Sequence, residues 1–114
     1  NGAKVVSDLT AANFNNCIID GDQEIEFSPE TVTGGTINFL FIHCTLKTTS
    51  ATTGANYVNI IRSPGNLFVD RTLFDYHLNA SSAAINAGDP SVGVTTDHDG
   101  NHRDGAPDLG AYEH

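Results

Sequence analysis

A chain of 114 residues with five Lys+Arg against fourteen Asp+Glu carries a formal charge of −9. That balance speaks against nucleic acid and anionic membrane surfaces, whose phosphates need Lys and Arg; acidic polysaccharides are repelled unless a cation bridges, and neutral glycans stay open. No run of about 18 apolar residues exists, so no membrane insertion is expected, and an apolar fraction of 39% allows a modest core.

The chain has no Met, and its opening "NGAKVV" reads as the middle of something longer or as a processed N-terminus. No signal segment is visible, which decides little because such a segment is removed on export. Helical periodicity is nearly absent. Short apolar runs, rich in β-branched and aromatic residues, follow one another: "KVV" at 4–6, "FNNCII" at 14–19, "EIEF" at 24–27, "INFLFIHCTL" at 37–46, "YVNII" at 57–61 and "LFV" at 67–69. Turn-formers separate them at 20–22, 28–30, 33–35 and 63–66. The pattern predicts an all-β fold of short strands.

Two of these runs repeat. Phe14, Cys17 and Ile19 align with Phe41, Cys44 and Leu46 as F-x-x-C-x-[IL], 27 residues apart. Phe68 falls 27 further on, with Arg71 at the cysteine position. A period of that size points to a solenoid, here a parallel β-helix whose equivalent positions stack about 4.8 Å apart. The six residues then form a core ladder. Residues 1–61 are expected to be β-helix coils, and 62–114 the last coil and a C-terminal capping tail, two to three coils in all. Stacked cysteines have side-by-side Cβ vectors, so two buried free thiols are expected, with a disulfide as the alternative. No second cysteine pair supports zinc. The 40-odd loop-like residues after Ile61 make sense as chain wrapped over a solenoid end.

"LFVD" (67–70), "DYHL" (75–78), "SSAAINAGDP" (81–90) and "TDHDGNHRDGAPDLGAYE" (96–113) form an ordered series. It resembles the C-terminal end of secreted bacterial right-handed parallel β-helix proteins of the pectate-lyase-like, choice-of-anchor type, common in Bacteroidetes. The resemblance covers about residues 59–114; upstream it is only generic. It departs at Ala83 and His102, where the family has Pro, and at His98, where it has Leu; Pro64–Asn66 replaces an Asp-Pro. The resemblance implies export to the cell surface or medium, association with polysaccharide, a natural C-terminus near His114, and any active site on upstream coils.

The closing stretch holds the candidate chemistry. Asp97, Asp99 and Asn101 alternate oxygen donors as hard-cation loops do, so calcium is a possible ligand. The match to a helix–loop–helix calcium site is weak, because Gly100 stands at position 4 rather than 6. The alternative is a set of Asx turns with glycines at positive φ. His98 and His102 have helical zinc spacing, but Gly100 and Asn101 between them disfavour a helix. Asp20 with Asp22, Glu24 with Glu26, and Asp97 with Asp99 are the carboxylate pairs that glycoside hydrolysis would need. Glu24 and Glu26 also fit a solvated strand face. Lys4, Lys47, Arg62, Arg71 and Arg103 show no cluster in sequence.

Asp97, Gly100, Arg103, Asp108, Gly110 and Tyr112 are expected to build the tail. Arg103 would pair with Asp97, Asp99 or Asp108, and Leu109 and Tyr112 would pack on the coil end. Two functions compete. One is a non-catalytic capping segment of an exported β-helix protein associated with glycans. The other is the C-terminal part of a polysaccharide lyase or glycoside hydrolase. In either, the open coil end near Asn1 would meet the upstream part of the same protein or another subunit.

Overall fold

The computed structural model describes residues 5–114, so Lys4 and the expected open end near Asn1 lie outside the described residues. The described strands are β1 (Asn13–Asn15), β2 (Ile18–Ile19), β3 (Leu40–Leu46), β4 (Tyr57–Arg62), β5 (Phe68–Asp70) and β6 (Asp75–Leu78). Both β1 and β2 pair in parallel with one side of β3, and β4 pairs in parallel with its other side. The register sets Phe14 against Phe41, Ile19 against Leu46 and Phe41 against Tyr57.

Three residues bend all the layers at one place. Asn16, between β1 and β2, has φ 54, His43 on β3 has φ 50, and Asn59 on β4 has φ 54. The register stacks them in that order. Asn tolerates left-handed backbone because its short amide bonds locally, whereas other side chains lose about 1–2 kcal/mol. Hydrogen bonds offset this. His43 Nδ1 lies 2.9 Å from the Ala87 carbonyl, and Asn59 Nδ2 donates to His43 Nε2 at 3.0 Å. The proton therefore sits on Nδ1. Asn16 donates to the Asp89 carbonyl at 2.9 Å and accepts from the Asp89 N–H at 2.7 Å.

Side chains alternate across this bent sheet. One face buries Phe41, Cys44 and Leu46 with Cys17, Ile19, Phe27, Phe39, Tyr57 and Ile60. The rings of Phe14 and Phe41 stack at 4.7 Å, and Phe27 meets Phe41 edge-on at 4.9 Å. Each such pair contributes about 0.5–1.5 kcal/mol beyond area burial. Behind the other face lies a second core of Leu67, Phe68, Leu78, Ala84 and Leu109, packed against Ile18, Ile85 and Ala87. The tail reaches Ile18 because Gly110, at φ 86, donates its N–H to the Asn16 carbonyl at 2.8 Å. A Cβ there would stand 2.8 Å from Ile18 Cδ1.

The expected right-handed parallel β-helix is not what the chain forms. The described residues make two small sheets, the parallel one and an antiparallel pair of β5 with β6, and neither closes. The 27-residue offset from Phe14 to Phe41 shrinks to 16 from Phe41 to Tyr57. Phe68, at the next 27-residue step, lies in the antiparallel pair. The cause is local. "KTTSATTGAN" (47–56) is too short and too polar to build the further strands that a coil requires. After β5, the Asp70 carboxylate accepts the N–H groups of Thr72 and Leu73 at 2.9 and 3.2 Å and turns the chain back on itself. Residues 24–27, expected as a strand, form none, so Glu24 and Glu26 share no strand face.

Candidate functional site

The tail's charged groups converge on main-chain atoms. Asp97 is buried at 9% exposure. Its carboxylate accepts the N–H groups of Asp99, Asn101 and Glu113 at 2.9, 2.8 and 2.8 Å, and the Asn101 side-chain amide at 3.1 Å. The Glu113 N–H, more than any other group, holds its pKa down to about 2. Gly100, at φ 86, closes the turn by donating to the Asp97 carbonyl. The arrangement is an Asx turn extended to the last residues of the chain. A calcium ion at Asp97, Asp99 and Asn101 would compete with four N–H groups for the Asp97 lone pairs. Asp99 points elsewhere, to His77 at 2.7 Å. Among the described residues no three His, Cys, Asp or Glu side chains are arranged to hold a metal.

Arg103 is the second hub, with its side chain 9% exposed. It donates to Glu113 Oε2 at 2.8 Å, to the Asp108 carbonyl at 2.9 Å and to the Gly110 carbonyl at 2.7 Å. Its carboxylate partner is Glu113, not Asp97, Asp99 or Asp108. Asp108, 2% exposed, accepts the N–H groups of Asn86 and His114 at 2.7 and 2.6 Å. Leu109 is fully packed at 1% exposure. Tyr112 lies against His77 with ring centroids 4.0 Å apart. His98 is largely exposed and meets Tyr112 edge-on, and His102 is exposed on the antiparallel bridge to Thr96. No helix joins these two histidines.

Two cations that are distant in sequence meet at Asp20. Lys47 Nζ lies 3.8 Å and Arg71 Nη1 3.6 Å from its carboxylate, and Arg71 Nη2 is 2.9 Å from Asp22. Glu26 is occupied by the Gln23 N–H at 2.6 Å. Cys17 and Cys44 are free thiols. The Cys17 thiol donates to the Asn15 carbonyl at 3.2 Å and the Cys44 thiol to the Ile42 carbonyl at 3.4 Å. The neighbouring Cys44 thiol is the largest effect holding Cys17 down to about 7, against the opposing effect of burial, while Cys44 is itself pushed up.

Sequence reasoning missed Glu113, His77, Asn16 and Asp89. Glu113 stands ten residues after Arg103 in the quoted tail, and the pairing of a lone tail cation with the last acid was the available signal. His77 and Asn16 act through partners 22 and 73 residues away, and no local pattern announces such contacts. Set against protein-family models, the curated proteins and the solved structures, the chain finds no match.

Proposed function

We propose that the chain is a non-catalytic structural segment of an exported, cell-surface or secreted protein that meets glycans. Its tail, 62–114, covers the outer face of the parallel sheet. The observation that carries this reading is the use made of Asp97, Arg103, Asp108 and Glu113. All four are spent on main-chain N–H and C=O groups. These four charged groups hold backbone and are not left free for acid–base work. A partner would add at the β1–β2 edge, beside Phe14 and Leu9, which are 36% and 43% exposed. That partner is the upstream part of the same protein or another subunit.

The test has two arms. Incubation with neutral and acidic polysaccharides is expected to release neither new reducing ends nor unsaturated products. Arg103→Ala leaves the Glu113 carboxylate unpaired and is expected to cost about 3 kcal/mol in urea unfolding. Polysaccharide cleavage by the chain, or an unchanged unfolding midpoint, overturns the reading.

A further inference from the structure

A cleft of about 540 Å³ opens between the β5–β6 hairpin and the end of the tail. Phe74, Tyr76, Tyr112, Asp20, Asp22 and Arg71 line it. Phe74 is the anomaly. It is 78% exposed, and its φ is 58. A bulky side chain is sterically disfavoured in that backbone region, where Gly or Asn is the ordinary occupant. Exposing the ring to water is a second penalty. Phe74 belongs to neither buried core, so packing does not explain it. A residue held against both penalties points to something that contacts its ring.

The charged wall is fixed. Arg71 lies between Asp22 at 2.9 Å and Asp20 at 3.6 Å, and the Asp22 side chain is 95% exposed. Carboxylate oxygens accept and guanidinium N–H groups donate, so the array suits a ligand whose groups do both. Hydroxyls are such groups. The aromatic faces suit the C–H face of a ring. Charge narrows the class further. Arg71 and Lys47 balance Asp20 and Asp22, so the wall itself is near neutral and offers no surplus cation for an anionic ligand, and the chain's net charge of −9 disfavours phosphates and uronates. A cationic ligand would have to displace Arg71 from both acids.

We propose that this cleft binds an uncharged saccharide chain, with Phe74 as the stacking platform and Asp20, Asp22 and Arg71 taking its hydroxyls. The proposal rests on the glycan-facing reading above and gives it a site and a ligand class. Isothermal titration of the whole chain with cellohexaose and xylohexaose, and with hexagalacturonate as the charged control, tests it. Phe74→Gly removes the ring and relieves the backbone. It is expected to melt at or above the parent temperature while weakening neutral-saccharide binding about tenfold. Phe74→Asn, which tolerates the same backbone, and Asp22→Ala, at an exposed side chain, are expected to weaken binding without lowering the melting temperature. Neutral binding untouched by Phe74→Gly and Phe74→Asn, tighter binding of hexagalacturonate, or no heat with either neutral probe at millimolar concentration overturns the proposal. None of these outcomes touches the structural role of the tail, which Arg103→Ala reports separately.

Discussion

The Nε2 atom of His77 lies 2.7 Å from a carboxylate oxygen of Asp99 and so ties the β5–β6 hairpin to the loop at 97–101. The other ring nitrogen, Nδ1, lies 2.6 Å from Asp75. Carboxylates only accept, so both contacts are hydrogen bonds only when the imidazole carries two protons. The ring also lies over Tyr112, an additional favourable site for a cation.

The clamp makes stability depend on pH. Asp99 first, then Asp75, raises the His77 pKa above its ordinary value of 6.5. A raised folded-state pKa contributes stability that is full below about 6.5 and is lost as pH rises through the folded value. The melting temperature of the parent should therefore fall on going from about pH 6 toward about pH 8. His77→Gln should flatten that slope. The effect is small because His77 and both acids are roughly half exposed, and it shrinks further in high salt. An identical slope in parent and variant would mean that another group titrates.

Asp97 gives the opposite slope at acid pH. Its pKa is lowered to about 2, chiefly by the Glu113 N–H. A lowered folded-state pKa contributes stability that is present above the ordinary carboxylate value, about 3.9, and is lost as pH falls through the folded one. Asp97→Ala should lower the melting temperature at neutral pH and converge with the parent near about pH 2. Because four N–H groups already occupy this carboxylate, millimolar calcium should leave the parent's melting temperature unchanged. A rise that Asp97→Ala abolishes would instead place a cation in the loop.

The aromatic column should show graded sensitivity along the stack. Phe41 is 1% exposed between Phe14 and Tyr57, whereas Phe14 is 36% exposed at the sheet edge. Phe41→Ala should cost about 3–5 kcal/mol in urea unfolding, and Phe14→Ala clearly less. Equal losses would show that the edge is covered in solution.

What was legible follows from how far each signal reaches. The repeat F-x-x-C-x-[IL] marks Phe14 and Phe41 as equivalent positions, and β1 and β3 do pair in that register. The next layer was hidden because its connection is shorter and Tyr57 carries no cysteine after it. The antiparallel β5–β6 pair was hidden because one Asx contact at Asp70 decides it. At the tail, the Asp and Gly residues announced turns. The convergence of Arg103 on Glu113, Asp108 and Gly110 depends instead on where the second core sets the chain. Arg71 and Lys47 looked scattered because 24 residues separate them, yet both fold onto Asp20.

The thiol pair offers the last check. Cys17 is half-buried and Cys44 is fully buried in the adjacent layer. With Cys17 held down to about 7 by the Cys44 thiol, a large fraction of it is thiolate at neutral pH. Iodoacetamide should then modify Cys17 first and spare Cys44 until the chain unfolds, as peptide mapping would show. Cys44→Ala removes the neighbouring thiol that holds Cys17 down, returns Cys17 toward the ordinary thiol range, and should slow its alkylation about tenfold at pH near 7. Well above about pH 9 the two rates should converge, because Cys17 is then thiolate in parent and variant alike. Equal rates at neutral pH would show that the two thiols do not share a proton across the layers.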